Sequence, residues 1–376
     1  MRVLIVGAGL YGAVCARELT RAGHHCHVIE KRTHVGGNIY TRHVPEAGCH
    51  EHVYGAHIFH TNSKRIWDYM CQFAEFNHYV NRVKVAHGEQ LYSFPINLFT
   101  LYQVFGVRTP EAARARLAAD IIDNPAPANM EEYCCSVIGP TLYRLFIEGY
   151  TTKQWGRHPR DLPADAVKRL PVRLTFDDNY FNDRYQGIPV GGYTAIVDKL
   201  LDGVTVETGV DFHANRDAWI ADYDRIIYTG PIDAFFDYRH GVLEYRSLRF
   251  ERELVGVADY QGNAVVNYTE ADVPWTRILE HKHFDMNTKE PVTLITREYP
   301  QEWRQGDIEY YPARNEESEA LFERYRAQAD ELAPRVHFGG RLGEYRYYDM
   351  HQVVGAALAF CEKVAVAAID EAVALG

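Results

Sequence analysis

The fold of this chain is decided near its N-terminus by residues 3–12, which read VLIVGAGLYG. Four apolar residues predict a buried strand, and the pattern Gly-x-Gly-x-x-Gly predicts a tight turn that leads into a helix. Gly7 permits the turn, Gly9 lets a pyrophosphate approach the backbone, and Gly12 lets the helix pack closely on the strand. Because a helix N-terminus offers unpaired N–H groups to phosphates, the stretch predicts a dinucleotide-binding site.

The residues after the next strand distinguish between the possible dinucleotides. A second predicted strand, His25 to Ile29, ends at Glu30, at the distance of about twenty residues where a carboxylate binds ribose hydroxyl groups. Residues 31–38 then read KRTHVGGN, with a second glycine pair. This arrangement resembles the FAD-binding amine-oxidase and glutathione-reductase-like group. No second Gly-x-Gly-x-x-Gly follows, so we expect FAD and no built-in NADPH domain.

Composition excludes several classes of protein. The 376 residues include 40 basic and 51 acidic side chains, a formal charge of −11. An acidic chain is not expected to bind nucleic acid as its main partner. With 47% hydrophobic and 24% charged residues the chain can bury a large core. Seven scattered cysteines without a Cys-x-x-Cys motif predict reduced thiols, and no signal peptide or membrane span is recognisable. We therefore expect a cytoplasmic protein without a membrane span.

The order of predicted elements indicates a discontinuous first domain. Strand and helix patterns alternate at the start, again around residues 185–240, and at the end, whereas residues 92–165 read mostly helical. Strands without intervening long helices follow residue 241, which predicts antiparallel pairing. The prediction is an FAD-binding domain of residues 1–75, 185–240 and 335–376, a helical domain of 92–165, and an antiparallel sheet domain of 76–91, 166–184 and 241–334.

A histidine-rich segment raises the question of a metal site. His52, His57 and His60 are spaced unlike the ligands of a standard zinc site and lack acidic second ligands, so we predict no metal. Gly55 and His57 suit a loop against a flavin ring, although purely structural histidines are the alternative.

Two further blocks carry groups suited to a nucleotide. Residues 148–156 (EGYTTKQWG) contain Tyr150 and Trp155, which could sandwich a planar base. Residues 168–173 (KRLPVR) contain two arginines in a proline-bounded segment. Such a segment is either a solvated charge run or a clamp for a diphosphate, which permanently charged, bidentate arginines bind well.

Taken together, these blocks resemble the UDP-galactopyranose mutases of the bacterial type over nearly the full chain. The motifs that carry the resemblance stand in the expected order: GAHIFHT (55–61), TKQWG (152–156), LPVR (170–173), DNYF (178–181), TRILEHK (276–282) and GRLGEYRY (340–347).

The resemblance implies an α/β fold, with a discontinuous Rossmann-like FAD-binding domain, an inserted α-helical domain and an antiparallel β-sheet domain. It also implies a dimeric isomerase that interconverts UDP-galactopyranose and UDP-galactofuranose without net redox. Reduced FAD would act through a covalent flavin N5–galactose adduct, and the product would supply galactofuranose for cell-surface glycans.

The resemblance also implies roles for individual residues. The catalytic residues are Arg169, on a mobile loop, Arg277, and His57 beside the flavin, although His60 is close enough to be confused with His57. The substrate contacts are Asn81, Phe146, Tyr150, Trp155, Arg169, Arg173, Tyr180, Phe181, Asn267, Arg277, Tyr311, Tyr347 and Asp349. The cofactor contacts are Gly7, Gly9, Leu10, Gly12, Glu30, Lys31, Arg32, Gly37, Asn38, Ile39, His57, Val210, Arg341 and Met350.

Two other functions fit parts of the pattern. An FAD-dependent oxidoreductase of the amine-oxidase type shares the fingerprint and the inserted domains, and predicts stoichiometric reduction of the flavin by an organic substrate. A binding protein related to the prenyl-GTPase dissociation inhibitors would keep the fold without flavin, and predicts a colourless protein.

Overall fold

The computed structural model describes residues 1–164, 171–286, 289–313 and 315–374, with side chains up to residue 365. Its strands are β1 (Arg2–Val6), β2 (His25–Glu30), β3 (Thr41–Val44), β4 (Cys49–His52), β5 (Phe59–Thr61), β6 (Val83–His87), β7 (Gln90–Phe94), β8 (Tyr185–Gly187), β9 (Thr205–Thr208), β10 (Arg225–Tyr228), β11 (Tyr245–Val255), β12 (Val265–Tyr268), β13 (Arg277–Glu280), β14 (Thr293–Glu302), β15 (Tyr311–Pro312) and β16 (Val336–Phe338).

Its α-helices are α1 (Leu10–Arg21), α2 (Lys64–Met70), α3 (Leu98–Phe105), α4 (Pro110–Asp120), α5 (Met130–Tyr143), α6 (Gly149–Trp155), α7 (Gly192–Leu200), α8 (Arg216–Asp222), α9 (Ile232–Phe235), α10 (Glu316–Glu331), α11 (Gly340–Gly343) and α12 (Met350–Ala374). Within the described ranges, none of these helices combines the length and hydropathy needed to cross a bilayer.

A parallel sheet of five strands forms the first layer of the fold. Its order is β16-β10-β1-β2-β9, so strands from the beginning, the middle and the end of the chain lie side by side. Val3 and Ile5 of β1 are fully buried and belong to one core with α1, α7 and α12. Leu4 points to the opposite core, which contains Tyr228 and Phe235. This alternation is what a strand covered on both faces requires.

A second sheet has seven strands in the order β15-β11-β14-β13-β12-β6-β7. Its neighbours pair antiparallel, as predicted, with the exception of β12 and β6, which run parallel. The fold class predicted from the sequence is confirmed by these two sheets. The limits assigned to the three domains stay a prediction.

Strands β11 and β14 are longer than their apolar segments indicate. Their pairing runs from Arg246 opposite Glu302 to Val255 opposite Thr293. Both strands contain charged residues, which pair between the strands as Arg297 Nη1 does with Glu253 Oε2 at 2.7 Å. Because such cross-strand pairs satisfy polar residues on a partly exposed face, hydrophobic runs alone underestimate the strand length.

Helices α3 to α6 form the helical part, around a core that includes Leu101, Ile138 and Leu142. Helix α5 is kinked at Gly139, where φ is +80°, ahead of Pro140. Residues 144–148 form a π-helical turn between α5 and α6. A π turn widens the helix locally, and here it carries the buried ring of Phe146.

Candidate active site

A cavity of about 380 Å³ lies at the carboxyl ends of β1, β2 and β10; we call it the turn cavity because the Gly7–Gly12 turn forms one wall. Ligands of open parallel α/β sheets bind at this edge. The lining includes all the predicted cofactor contacts, namely Gly7, Gly9, Leu10, Gly12, Glu30, Lys31, Arg32, Gly37, Asn38, Ile39, His57, Val210, Arg341 and Met350.

The turn in this cavity has a shape that only glycine can form. Gly7 has a φ of +106°, and a Cβ atom there would lie 2.1 Å from Oγ1 of Thr229. A Cβ atom on Gly12 would lie 2.1 Å from the carbonyl oxygen of Gly7. The missing side chains let α1 begin directly against the turn, so that its N-terminal N–H groups face the cavity.

Glu30 and Arg32 fix the opposite wall of the turn cavity. The Glu30 carboxylate accepts hydrogen bonds from the backbone N–H groups of Ala8 (2.9 Å) and Arg32 (2.8 Å). Arg32 donates from Nη2 to Oδ1 of Asn38 at 2.9 Å and lies over the ring of Tyr54. Its Nη1 atom is buried and has no acceptor among the described residues. A glycine cradle beside an unpaired guanidinium donor fits the diphosphate of FAD.

A second cavity, of about 370 Å³, lies between the seven-stranded sheet, the helical part and the segment 54–60; we call it the sheet cavity. It contains most of the predicted substrate contacts: Asn81, Phe146, Tyr150, Tyr180, Phe181, Asn267, Arg277, Tyr311, Tyr347 and Asp349. Asn38, His57, Arg341 and Met350 line both cavities. The two cavities therefore adjoin at these four residues.

Two of the three remaining predicted substrate contacts lie outside the sheet cavity, and the third, Arg169, falls outside the described residues. Arg173 does not line the cavity, because its guanidinium donates to the carbonyl oxygens of Asp177 and Asn179 and to Asn182. It thus orders the segment that leads to Tyr180, and its contact with a diphosphate stays a prediction.

Trp155 is 36% exposed and lines a neighbouring outer cavity of about 1090 Å³. That cavity adjoins the sheet cavity through Tyr311 and Tyr347, which line both.

A row of polar side chains crosses the floor of the sheet cavity. Asn267, Arg277 and Glu298 are direct partners across β12, β13 and β14. Arg277 Nη2 donates to the Tyr150 hydroxyl group at 2.9 Å, and its Nε lies 3.3 Å from Oε1 of Glu298. Burial opposes the charge on Arg277, but the Glu298 carboxylate and nearby tyrosines outweigh it and raise the pKa of Arg277. The guanidinium is therefore a permanent positive charge.

Glu298 is a site residue that the sequence did not reveal. It is 2% exposed, and Arg277 Nε and Glu298 Oε1 are too poorly aligned to form a hydrogen bond with each other. Asn267 Oδ1 is likewise buried, and none of these three atoms has a hydrogen-bond partner among the described residues. The floor of the cavity thus presents one unpaired donor and two unpaired acceptors, which suits hydroxyl groups. The available signal was a glutamate in the middle of the strand pattern of β14.

Tyrosine hydroxyl groups line the wall above this row. Burial raises the pKa of Tyr150, Tyr311 and Tyr347, so all three keep their protons at neutral pH. Tyr311 and Tyr347 stack with ring centroids 5.8 Å apart. Arg341 lies 5.2 Å from the centre of the Tyr347 ring and donates to two backbone carbonyl groups. Neutral donors next to two fixed guanidinium groups favour an anionic ligand.

The structure separates the roles of His57 and His60. His57 lines both cavities, and its Nδ1 lies 2.8 Å from the carbonyl oxygen of Gly55. Burial, with the charge of Arg341, lowers the pKa of His57 to about 4, so the ring is neutral. His60 lines the sheet cavity, pairs with Asp183 at 2.6 Å and stacks on Phe181. His57 is therefore the histidine placed at the junction.

Among the residues that the structure describes, two groups of side chains have ligand-type atoms within 4.8 Å of one another: His60, Asp349 and His351, and Asp259, Glu280 and His283. Glu280 already accepts hydrogen bonds from two backbone N–H groups and from Thr293. The absence of a metal stays a prediction.

Comparisons with known proteins agree with this geometry. Residues 145–347 match the family model for UDP-galactopyranose mutase, and residues 5–73 match an NAD(P)-binding Rossmann-like domain. A probable UDP-galactopyranose mutase of Klebsiella pneumoniae is 42% identical, over 95% of this chain and 92% of its own length. A dTDP-fucopyranose mutase of Escherichia coli is 36% identical, over 95% of this chain and 96% of its own.

Two solved structures share the fold. A reduced UDP-galactopyranose mutase superimposes with a TM-score of 0.73 at 16% identity, covering 96% of this chain and 93% of the other. A putative protoporphyrinogen oxidase from Exiguobacterium superimposes with a TM-score of 0.64 at 12% identity, covering 97% and 98%. At such identities these two likenesses concern the fold alone.

Proposed function

The chain belongs to the UDP-galactopyranose mutase family, and from this premise we propose that it interconverts UDP-galactopyranose and UDP-galactofuranose with reduced FAD in the turn cavity. The observation that carries the proposal is the junction of the two cavities at Asn38, His57, Arg341 and Met350. A cofactor that fills the turn cavity up to this junction would meet a sugar bound in the sheet cavity.

The turn cavity would hold FAD by its diphosphate and by its ribose. The N-terminus of α1 and the unpaired Nη1 of Arg32 would bind the diphosphate, and Glu30 keeps lone pairs for ribose hydroxyl groups. When bound and reduced, FAD would supply the nucleophile for displacement of UDP from the sugar.

The sheet cavity would hold the UDP-sugar through its own diphosphate. Arg277 supplies a fixed positive charge, and the hydroxyl groups of Tyr180, Tyr311 and Tyr347 supply neutral donors. A guanidinium with this permanent charge stabilises UDP as a leaving group and keeps it bound while the sugar rearranges. Arg169, outside the described residues, is proposed as the second phosphate ligand. The sugar hydroxyl groups would satisfy Asn267 Oδ1 and Glu298 Oε1.

A second substrate pair follows from the dTDP-fucopyranose mutase that is 36% identical over almost the whole chain. Thymine differs from uracil by a methyl group, and fucose lacks the hydroxyl group at C6 of galactose. The same floor and diphosphate ligands would serve both sugars, so both pairs are tested together.

The test uses the purified flavoprotein reduced with dithionite. We expect the reduced protein to convert UDP-galactofuranose to the pyranose isomer, as measured by HPLC. This conversion should be faster than the interconversion of the dTDP-fucose isomers. Reoxidation of the flavin should abolish the activity. Stoichiometric bleaching of oxidised flavin by an organic substrate would instead indicate an oxidoreductase. A colourless protein that binds no FAD would contradict the mutase function.

The setting of the reaction is part of the proposal. We expect a cytoplasmic homodimer that supplies galactofuranose for cell-surface glycans. Sedimentation at micromolar concentration tests the dimer. Loss of galactofuranose from surface glycans after deletion of the gene tests the supply.

A further inference from the structure

Lys153 is a half-buried cation close to the sheet cavity that none of the roles above uses. It lies on α6, one helical turn after Tyr150. Its Nζ donates to the carbonyl oxygens of Tyr268 (2.8 Å), Val273 (3.0 Å) and Trp275 (3.0 Å). An ammonium group has three donors, so these contacts use all of them.

All three acceptors belong to one piece of backbone, the connection from β12 to β13 and its edges. Strand β12 carries Asn267 and strand β13 carries Arg277, two residues of the cavity floor. The first residue of α6 touches the same connection, because a Cβ atom on Gly149 would lie 2.1 Å from the carbonyl oxygen of Thr269. Helix α6 is thus held against the β12–β13 connection at both of its ends.

The helix carries Tyr150 and Thr151 into the sheet cavity. Tyr150 accepts a hydrogen bond from Arg277 across the boundary between the helix and the sheet. Neither the helix nor the strand alone sets this 2.9 Å contact. It depends on how α6 lies on the β12–β13 connection.

We propose that Lys153 is a positioning residue, whose ammonium group fixes α6 on the β12–β13 connection and thereby sets Tyr150 against Arg277 for nucleotide binding. The inference rests on the proposed function, since it assumes that UDP is the ligand of the sheet cavity. Lys153 itself lines neither cavity, so its effect passes through Tyr150 and Arg277.

The test measures UDP binding by calorimetry to the flavin-loaded protein and to its Lys153→Met variant. Methionine keeps the apolar stem and removes the three donors. We expect UDP to bind between about tenfold and a hundredfold more weakly, the range for loss of hydrogen bonds from a charged group. FAD content is expected to be unchanged, because the turn cavity lies elsewhere.

Lys282→Met is the matched control. Lys282 is fully buried and donates to the carbonyl oxygens of Ala258 (2.7 Å) and Glu290 (2.9 Å), away from both cavities. The Lys282→Met variant is expected to lower the melting temperature at least as much as Lys153→Met does, while its UDP affinity stays the same as that of the unchanged protein. If Lys153→Met and the unchanged protein bind UDP equally well, this inference is overturned but the proposed function is not. Failure of the unchanged flavoprotein to bind UDP overturns the proposed function and this inference with it.

A second measurement is the pH dependence of UDP affinity, in the unchanged protein and in Lys153→Met. Burial lowers the pKa of Lys153 to about 8. The carboxylates of Glu270 and Asp272, on the β12–β13 connection, raise this pKa but do not outweigh the effect of burial. Above that pH the amine keeps two N–H donors for three carbonyl groups. UDP affinity of the unchanged protein is therefore expected to fall between pH 7 and 9, and Lys153→Met is the reference for any change in the uracil itself at the upper end of this range. A flat profile overturns the inference, and a fall that persists in Lys153→Met does so too.

Discussion

The turn cavity and the sheet cavity have nearly the same volume, about 380 and 370 Å³, but they are built in different ways. In the turn cavity the Gly7–Gly12 turn is a backbone cradle, and the remaining walls come from several separate segments of the chain. The sheet cavity is made of side chains that come from separate strands and helices. The first has open space because Gly7 and Gly12 lack side chains, and the second presents unpaired polar atoms at Asn267, Arg277 and Glu298.

This difference explains how an acidic chain can hold two diphosphates. The formal charge of −11 is spread over the surface, where it concerns solubility. In the turn cavity, backbone N–H groups carry partial positive charge without adding net charge. In the sheet cavity, the guanidinium groups of Arg277 and Arg341, next to neutral tyrosines, supply the positive charge. The two sites should therefore fail independently when each is changed.

The largest effect is expected from Arg277→Ala, which removes the fixed charge of the sheet cavity. Turnover with reduced FAD should fall by about a thousandfold or more, as expected for loss of a charged group that stabilises the transition state. FAD content measured by absorbance should stay unchanged. Arg297→Ala, on the neighbouring strand and paired with Glu253 outside the cavity, is the control. Loss of FAD from Arg277→Ala would mean that the two cavities are not independent.

Gly7→Ala is the corresponding change in the turn cavity. A methyl group would meet Oγ1 of Thr229 at 2.1 Å, at a φ of +106° that alanine rarely adopts. The protein should be purified largely without FAD and should still bind UDP. Gly23→Ala has a similar φ of +86° but nothing within 4 Å, and should retain FAD at a cost of about 1 kcal/mol in stability. Full FAD occupancy in Gly7→Ala would refute the cradle.

A smaller effect is expected from Glu298→Gln, which keeps the shape of the side chain but removes its charge. One unpaired acceptor of the cavity floor is replaced by an amide, and Arg277 loses its opposing charge. We expect kcat/KM for the UDP-sugar to fall about tenfold, equal to ~1.4 kcal/mol, with FAD unchanged. Glu253→Gln, on the exposed part of β11, should have no effect on turnover. An unaltered kcat/KM in Glu298→Gln would remove Glu298 from the site.

The smallest effect concerns stability and tests the junction between the cavities. Burial lowers the pKa of His57 to about 4 and of His281 to about 3, and lowers that of His52 below its usual range. The folded state then binds fewer protons than the unfolded state between pH 6.5 and these values, so stability is lost as the pH falls through that range. The melting temperature should decline from pH 7 to pH 4.5. The melting temperature of His57→Asn should decline less steeply over the same pH range. An equal slope for the variant and the unchanged protein would mean that His57 is not buried as described.

The glycine side of the turn cavity could be predicted from the sequence, whereas walls such as residues 228–231 were not predicted. The glycine turn, Glu30 and the second glycine pair are separated by short segments, and each has a local conformational reason to be where it is. The family motifs then indicated Asn267, Arg277 and the tyrosines. They did not include Glu298, and they gave no role to Lys153 of the TKQWG motif, because a glutamate in a strand and a lysine in a helix are ordinary residues until their neighbours are known.

The parallel pairing of β12 with β6 was also not predicted. It joins residues 266–268 to residues 84–86, which are far apart in the chain. Antiparallel pairing of adjacent strands follows from short connections, whereas a parallel neighbour depends on the packing of the whole sheet. The same pairing brings β6 and the buried Asn81 just before it close to the strand of Asn267.

The sequence by itself determined the dinucleotide turn, the strands of the parallel sheet and the residue types that bind phosphate, because these depend on local conformation and on the chemistry of single side chains. Only the tertiary structure decided that His57 rather than His60 lies at the junction. It alone put Asn267, Arg277 and Glu298 in one row and placed α6 on the β12–β13 connection. Register and the docking of distant elements arise from long-range packing, which leaves no mark in a short stretch of sequence.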